Sequence, residues 1–331
     1  MDAADAAASP PPTTPPTTPP PRPAPHRAPP ALLNQALALL ITAGLLGLQW
    51  GASGARGWAL LAYAAPFALL GLPLYTLMHE SFHRCFHDRR LVNDLYGVAL
   101  SALFPGPFSF MRMTHAGHHG RNRTDVELFD GYYPQDKLWW KFGTYYFLFL
   151  GGFWSLLPLV VVLMLVYPPA LYSRLVQEQP ESAAMVNGVP RWLVRRIRLE
   201  CALVVAAQGG LLWLAGWDWV SYLALYAAYG FAWSSQNYIT HSGSPRHVLN
   251  GAFNLQVNPL YSALILHFNW HLAHHQHPSV PWLYLPQYND ETRARPSYLG
   301  AWLRQWRGPR PCAEPCPRGG ARDPEGAAEA R

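Results

Sequence analysis

The chain has 331 residues, half of them hydrophobic and only 13% charged, with a formal net charge of +6. That is about half the charge density of an ordinary soluble domain, and several apolar runs reach membrane-spanning length, so an integral membrane protein is expected. Arginines flanking those runs account for the positive excess through lipid headgroups and the positive-inside rule; no zinc finger or other nucleic-acid module matches, and no nucleic-acid partner is expected.

Residues 1–30 hold twelve prolines among Ala, Thr and Ser, with little to bury, and are expected to form a disordered tail without a secretory signal. Ala31–Trp50 is twenty residues without a charge, enough for one crossing. Trp58–Met78 is a second such run and leads directly into His79. Leu199–Trp217 and Trp219–Tyr238 read as two further spans in a tight hairpin around Gly216-Trp217-Asp218. The run Gly143–Pro169 is different. As a simple crossing it would put the third histidine cluster opposite the first two, and Arg174, Arg191, Arg195, Arg196 and Arg198 outside; both problems vanish if it dips in and returns, broken near Gly151-Gly152 or Pro158. The expected fold is therefore an all-α membrane protein of about four transmembrane helices plus a re-entrant or interfacial hairpin. A histidine-cluster cap would face the cytoplasm. The working body spans 31–306, and 307–331 is expected to be a second disordered tail. Cys85, Cys201, Cys312 and Cys316 form no CxxC pair, which argues against an intrinsic iron–sulfur centre and a disulfide framework.

Most of the fourteen histidines fall in three clusters at the watery ends of apolar runs. His79 and His83 form HxxxH. His115, His118 and His119 form HxxHH, as do His271, His274 and His275. At helical spacing the first and fourth residues of HxxHH are expected to face one way with the fifth beside them, so that nitrogens converge on two neighbouring metals. Iron, zinc and copper all accept neutral imidazole. His241, after the fourth span, is a candidate ninth ligand, and Asn237 a water-mediated one. His267, His87 and His277 are candidates for orienting the ligands. Carboxylates near the first two clusters, Asp88, Asp94, Asp125, Glu127 and Asp130, could accept ring N–H groups. The first cluster also spells His-Glu-x-x-His, the zinc-protease signature, with Glu80 as general base; a protease would leave six clustered histidines without a role. A transporter would place its ligands near the bilayer midplane rather than at span ends.

The three boxes, in order and spacing, resemble the membrane fatty acid desaturase superfamily, which includes hydroxylases and ketolases. The stretch from His271 through Pro278-Ser-Val-Pro-Trp282 is similar to its third box and following turn, and Leu91-Val-Asn-Asp-Leu-Tyr-Gly97 also looks familial. The resemblance covers roughly 31–290. It implies two non-haem irons on the cytoplasmic face, held by His79, His83, His115, His118, His119, His271, His274 and His275, with His241 completing the set. O2 is then the cosubstrate and a lipid or acyl chain the substrate. The His-Pro-Gly-Gly signature of a fused cytochrome b5 module is absent, so electrons are expected from a ferredoxin or cytochrome b5-type donor with its reductase. The compartment would be a bacterial inner membrane or the endoplasmic reticulum. An unactivated methylene offers neither an acidic proton nor a leaving group, so side-chain acids and bases cannot attack it and the oxidising power must come from metal and O2. Desaturation of a fatty acid or fatty-acyl chain is the expected reaction, with hydroxylation or ketolation the alternative. Phe104, Phe108, Phe110 and Trp270 are candidate tunnel-lining residues.

Overall fold

The computed structural model describes residues 27–187 and 189–317, so of the tails expected at 1–30 and 307–331 the parts 1–26 and 318–331 lie outside the described residues. α1 (Ala31–Gly51) pairs with α2 (Gly57–Phe82) as an antiparallel hairpin. α9 (Val194–Leu214) leads into α10 (Trp219–His241), which packs along α2 rather than along α9, so the tight hairpin expected of the third and fourth runs is not a packed pair. Both interhelical turns lie at the end remote from the histidines, where one carboxylate joins them. Asp218 caps α10 through the amides of Val220 and Ser221, accepts from the Gly54 amide at 2.7 Å and takes both Arg56 nitrogens at 2.8 and 2.9 Å. The Arg56 guanidinium holds its carboxyl well below the usual carboxylate range.

Among the described residues, three helices are long and apolar enough to cross a membrane: Ala31–Gly51, Gly57–Phe82 and the stretch Arg191–Leu214. α10 was expected as a fourth. It has 23 residues, but Ser234, Ser235, Gln236, Asn237, Thr240 and His241 crowd its last two turns, and it does not join the other three. Those polar residues belong to the helix's protein-facing, metal-proximal half.

The run around Gly143–Pro169 divides into α5 (Leu138–Phe149) and α6 (Phe153–Val166), bent by 84° to one another. Gly151 makes the break, with φ 98° and the backbone of Gly230 so close that a Cβ would lie 2.9 Å from it. The return of α6 is fastened by Arg198, which donates to the Leu165 carbonyl at 2.9 Å.

A second hairpin, α3 (Arg90–Leu103) and α4 (Phe108–Arg121), was not foreseen in the sequence. Its tip carries Phe104 and Phe108, both fully buried. Phe104 packs against Tyr75 and Trp233 at ring separations of 5.3 and 5.4 Å, and Phe108 against Phe82 at 5.7 Å. Glu200, the acid in the third apolar run, is only 4% exposed. It accepts from the Ser109 amide and hydroxyl at 2.6 and 2.7 Å and from Arg196 at 2.9 Å, so α9 caps the first turn of α4 with a negative charge.

Short helices complete the cap: α7 (Arg174–Gln177), α8 (Pro180–Val186), α11 (Pro259–Leu264), α12 (His271–Gln276) and α13 (Tyr298–Gln305). The ordered body runs past the boundary expected at 306. Arg310–Pro311 pairs in parallel with Gly131–Tyr132, and the Cys312 amide donates to the Tyr132 carbonyl at 2.8 Å.

Candidate metal centre

Each histidine box sits where a helix ends. α2 carries His79 and places His83 at its cap, and it closes with the Cys85 amide on the Glu80 carbonyl at 2.8 Å, a turn that needs Arg84 in the left-handed region at φ 59°. α4 carries the second box and is followed by Arg123 at φ 62°. Before α12, Leu266 and His267 have φ 51° and 55°. Non-glycine residues cost about 1–3 kcal/mol each in this region, so packing around the boxes holds the backbone there.

The side chains converge in two quartets, each with its ligand atoms within 4.8 Å of one another. The first is His79, His83, His115 and His274; the second is His118, His241, His271 and His275. His119 lies at their junction, with its Nε2 at 3.0 Å from both His115 and His274 and its ring 4.5 Å from that of His275. The grouping corrects the expected facing within each box. Residues four apart are offset by about 40° on a helix and residues three apart by about 60° the other way. His115 and His119 therefore stay together while His118 crosses over, and His271 and His275 stay together while His274 crosses back.

The residues fit metal ions. Nε2 atoms approach to 2.8 Å between His83 and His115 and to 2.9 Å between His241 and His271. One proton can bridge two such nitrogens, but it cannot satisfy four. The Nε2 atoms of His79 and His275 are buried without a hydrogen-bond partner. Each orphaned atom costs about 1–3 kcal/mol, and a bound cation removes that cost. Burial holds the imidazoles of His115, His119, His271, His274 and His275 well below their ordinary pKa. Burial and then the Arg112 charge push His83 down to about 3. Neutral nitrogen donors in this number suit a first-row divalent metal such as iron.

Two imidazoles of the second quartet have their tautomer set by an acceptor. His118 donates from Nδ1 to Glu127 at 2.6 Å, with Arg121 3.3 Å from the other carboxylate oxygen, and His241 donates from Nδ1 to the Gly251 carbonyl at 2.9 Å. Both leave Nε2 free to bind. Asp94, Asp125 and Asp130 instead pair with arginines: Asp94 with Arg112 and Arg196, Asp125 with Arg246, and Asp130 with Arg123.

The other expected residues lie outside the quartets. The Asn237 amide nitrogen turns back to the Trp233 carbonyl at 2.8 Å. His267 bonds the Ser262 hydroxyl at 2.9 Å and packs against Trp282. His87 accepts from the Arg89 amide at 2.8 Å, and His277 packs on Tyr288. Among the tunnel candidates, Phe104 lies below His79 by way of Tyr75, whereas Phe110 belongs to a separate core with α6 and α9 and Trp270 carries Arg295 over its ring at 3.9 Å.

Sequence reasoning missed Glu200 and Asn34, and gave Trp282 no role beyond its place in the turn after the third box. Glu200 and Asn34 had a readable signal, a polar side chain inside an apolar run, which requires a partner. The Asn34 amide donates to the Phe86 carbonyl at 2.9 Å.

Within His-Glu-x-x-His, Glu80 accepts the backbone amide of Trp282 at 3.0 Å, and His79 and His83 share their quartet with His115 and His274.

Apolar helices closed at one end by two histidine quartets are consistent with a membrane protein and compatible with a metal site. The family model described as fatty acid desaturase matches residues 56–307, including all three boxes, and the chain belongs to that family. A comparison with curated proteins returns no match. Membership makes the protein an oxidoreductase of the desaturase and hydroxylase type, with a lipid or acyl substrate and a metal site compatible with iron.

Proposed function

We propose that the protein is a fatty acid or fatty-acyl desaturase that holds two irons and uses O2 and external electrons to introduce a C=C bond. The observation that carries this reading is the pair of adjoining histidine quartets at one end of an apolar helical body. His79, His83, His115 and His274 would hold one iron and His118, His241, His271 and His275 the other, with His119 available at the junction. When bound, a reduced iron pair supplies with O2 an oxidant able to remove hydrogen from an unactivated methylene.

The chain's own part is placement and exclusion of water. Tyr75, Phe82 and Phe268 pack against the first-quartet rings at 5.6–6.0 Å and keep that side apolar. Glu127 and the Gly251 carbonyl hold His118 and His241 in the tautomer that binds. Asn237, four residues before His241, would reach the metal through water, and His267, His87 and His277 would support the surrounding turns.

The arginines at the histidine end support a cytoplasmic site. Arg112 donates to the Ser81 carbonyl at 2.6 Å and pairs with Asp94, which also takes Arg196, so the start of α9 lies beside the end of α2. Arg89, Arg90 and Arg195 are exposed there and would face lipid phosphates and an acidic ferredoxin or cytochrome b5-type donor served by its reductase.

The test is metal content of the detergent-solubilised protein, followed by mass spectrometry of lipids from cells expressing it. About two irons per chain, reduced in His118→Ala, with products two mass units lighter than their substrates, is the expected outcome. Products one oxygen heavier would make it a hydroxylase, and one zinc per chain indifferent to His118 would sink the reading.

A further inference from the structure

Two of the four cysteines meet in the cap, outside both quartets. All four are free thiols; Cys85 and Cys201 are buried, whereas Cys312 is half-buried and Cys316 exposed. Arg246 donates from Nη1 to the Cys312 sulfur at 3.3 Å and to the Tyr133 hydroxyl at 2.9 Å, and from Nη2 to Asp125 at 2.7 Å. The Cys316 thiol hydrogen-bonds the same Asp125 carboxylate. Both sulfurs therefore end on one ion pair, whose guanidinium is 3% exposed. A cation beside an accessible sulfur is the setting of reactive cysteines, because the thiolate is the nucleophile.

Three residues separate the two cysteines, and the chain bends at the middle one, Glu314. The Cys312 thiol reaches back to the Glu314 carbonyl at 3.5 Å, and the Glu314 carboxylate accepts the Arg246 amide at 3.1 Å. A bent segment of this length can bring two Cα atoms within the ~4.4–6.8 Å that a disulfide requires.

One short turn couples the pair to the second quartet. In the turn Asp125–Glu127, the first residue takes Arg246 and Cys316, and the last takes Nδ1 of His118 at 2.6 Å. The strand that leads into Cys312 lies against Gly131–Tyr132, and its Arg310 amide donates to the Asp130 carbonyl at 3.0 Å. The cysteine segment is thus laid over the loop that holds His118 in place.

We propose that Cys312 and Cys316 are a redox-active thiol pair that closes to a disulfide on reaction with a peroxide and so loosens the turn orienting His118. The Cys312 sulfur attacks the O–O bond, giving a sulfenic acid and one water; the Cys316 sulfur then displaces the hydroxyl as a second water. Two thiols give up two electrons and two protons to one peroxide. Closing the bond takes one sulfur from Arg246 and the other from Asp125, and the Glu127 end of the turn is held less firmly. In a compartment kept reducing by thiols such a bond is transient and acts as a sensor. The effect on a metal rests on the reading under Proposed function; the thiol pair does not.

The test treats the full-length detergent-solubilised protein with hydrogen peroxide, blocks remaining thiols by alkylation and weighs the peptides. The peptide holding Cys312 and Cys316 should lose two hydrogens at least about tenfold faster than Cys85 or Cys201 is oxidised, and a dithiol reductant should restore it. Cys316→Ser should stop at a sulfenic acid on Cys312, trapped by dimedone, and in Cys312→Ser the remaining Cys316 should react about tenfold more slowly. For the metal arm the bond is closed with diamide, which takes two electrons from two thiols without peroxide. One metal should then pass to a chelator about threefold faster than from the reduced protein, and Cys316→Ser treated alike should show no change.

Separate oxidation of the two sulfurs, or a bond between chains, would overturn the pair. Zinc released on alkylating the two thiols would overturn it in favour of a thiolate metal site. A disulfide that leaves metal release unchanged would overturn the coupling to His118. A protein that holds no metal would refute the reading under Proposed function, and the mass measurement would still decide the thiol pair.

Discussion

The two histidine quartets are built by different means. In the second, two of the four imidazoles have their non-binding nitrogen committed: His118 to Glu127 and His241 to the Gly251 carbonyl. In the first, Tyr75 and Phe268 pack on His79 and Phe82 on His115, and Phe268 also reaches His271 of the second. Nitrogens crowd one another in both, at 2.8 Å between His83 and His115 and 2.9 Å between His241 and His271. A carboxylate behind a ligand raises its basicity and fixes its ring, so the second quartet is electronically tuned, whereas the first is shaped. Next to the shaped quartet lies the Tyr75–Phe104–Trp233 aromatic cluster, with Tyr75 against the His79 ring. Metal affinity in one site and substrate fit in the other should therefore respond to different mutations.

The largest expected effect comes from deleting one ligand on each side. His83→Ala and His118→Ala should each cost about one metal per chain and lower turnover to background, because a three-nitrogen remnant leaves one coordination position unfilled. Equal loss of both metals in either variant would mean that the quartets act as a unit and would break the comparison.

Glu127→Ala should come next. Removing an orienting carboxylate typically costs 10–100-fold in metal affinity, and the loss should fall on one metal only, visible as biphasic release to a chelator. The same titration on Phe82→Leu should show little change in affinity.

Proton competition is shared by the two quartets. Imidazoles buried in neutral form have lower pKa values folded than unfolded, so the unfolded chain binds more protons. Stability of the metal-free protein should be full above the ordinary histidine pKa of about 6.5 and fall as pH drops below it. For His83 the loss continues toward its folded value of about 3. Thermal melts from pH 8 to pH 5 should show Tm falling with acid; a flat profile would mean that the histidines are solvated.

The smallest effect is a control at the other end of the bundle. Asp218→Asn removes the carboxylate that joins the two interhelical turns and should lower Tm slightly while leaving metal content unchanged. The Asp218 carboxyl is held low by Arg56, so its contribution is present above the unfolded pKa of about 3.9 and is lost as pH falls below it. This window opens at lower pH than that of the histidines and overlaps only the last part of the His83 loss.

Much of the site was legible because histidine is rare and its helical spacing is diagnostic. The three boxes and His241 were readable as residues that could meet. Which nitrogen joins which quartet was not, since the offsets of i+3 and i+4 become distinguishable only when the rotations of α4 and α12 about their axes are known. Glu127 stood among several nearby acids, and nothing local separated it from Asp94, Asp125 and Asp130, which found arginines instead. The Glu80–Trp282–Asn34 contacts join residues about 200 or more positions apart and lie beyond the reach of any local pattern.

The sequence by itself determined the apolar body, the ends at which the histidines collect and the chemistry that neutral imidazoles permit, because hydropathy and ligand type are properties of short segments. Tertiary structure alone decided the α3–α4 hairpin and the division of the histidines into two quartets, and it set at 84° the bend of a break that the sequence had already located near Gly151-Gly152. Each of these depends on one helix meeting another. Gly151 bends where Gly230 leaves room, Glu200 on α9 caps α4, and Trp282 is held by residues from the first and second helices. Such contacts are set by the packing of surfaces brought together from distant parts of the chain, and their energy exists only once those surfaces meet.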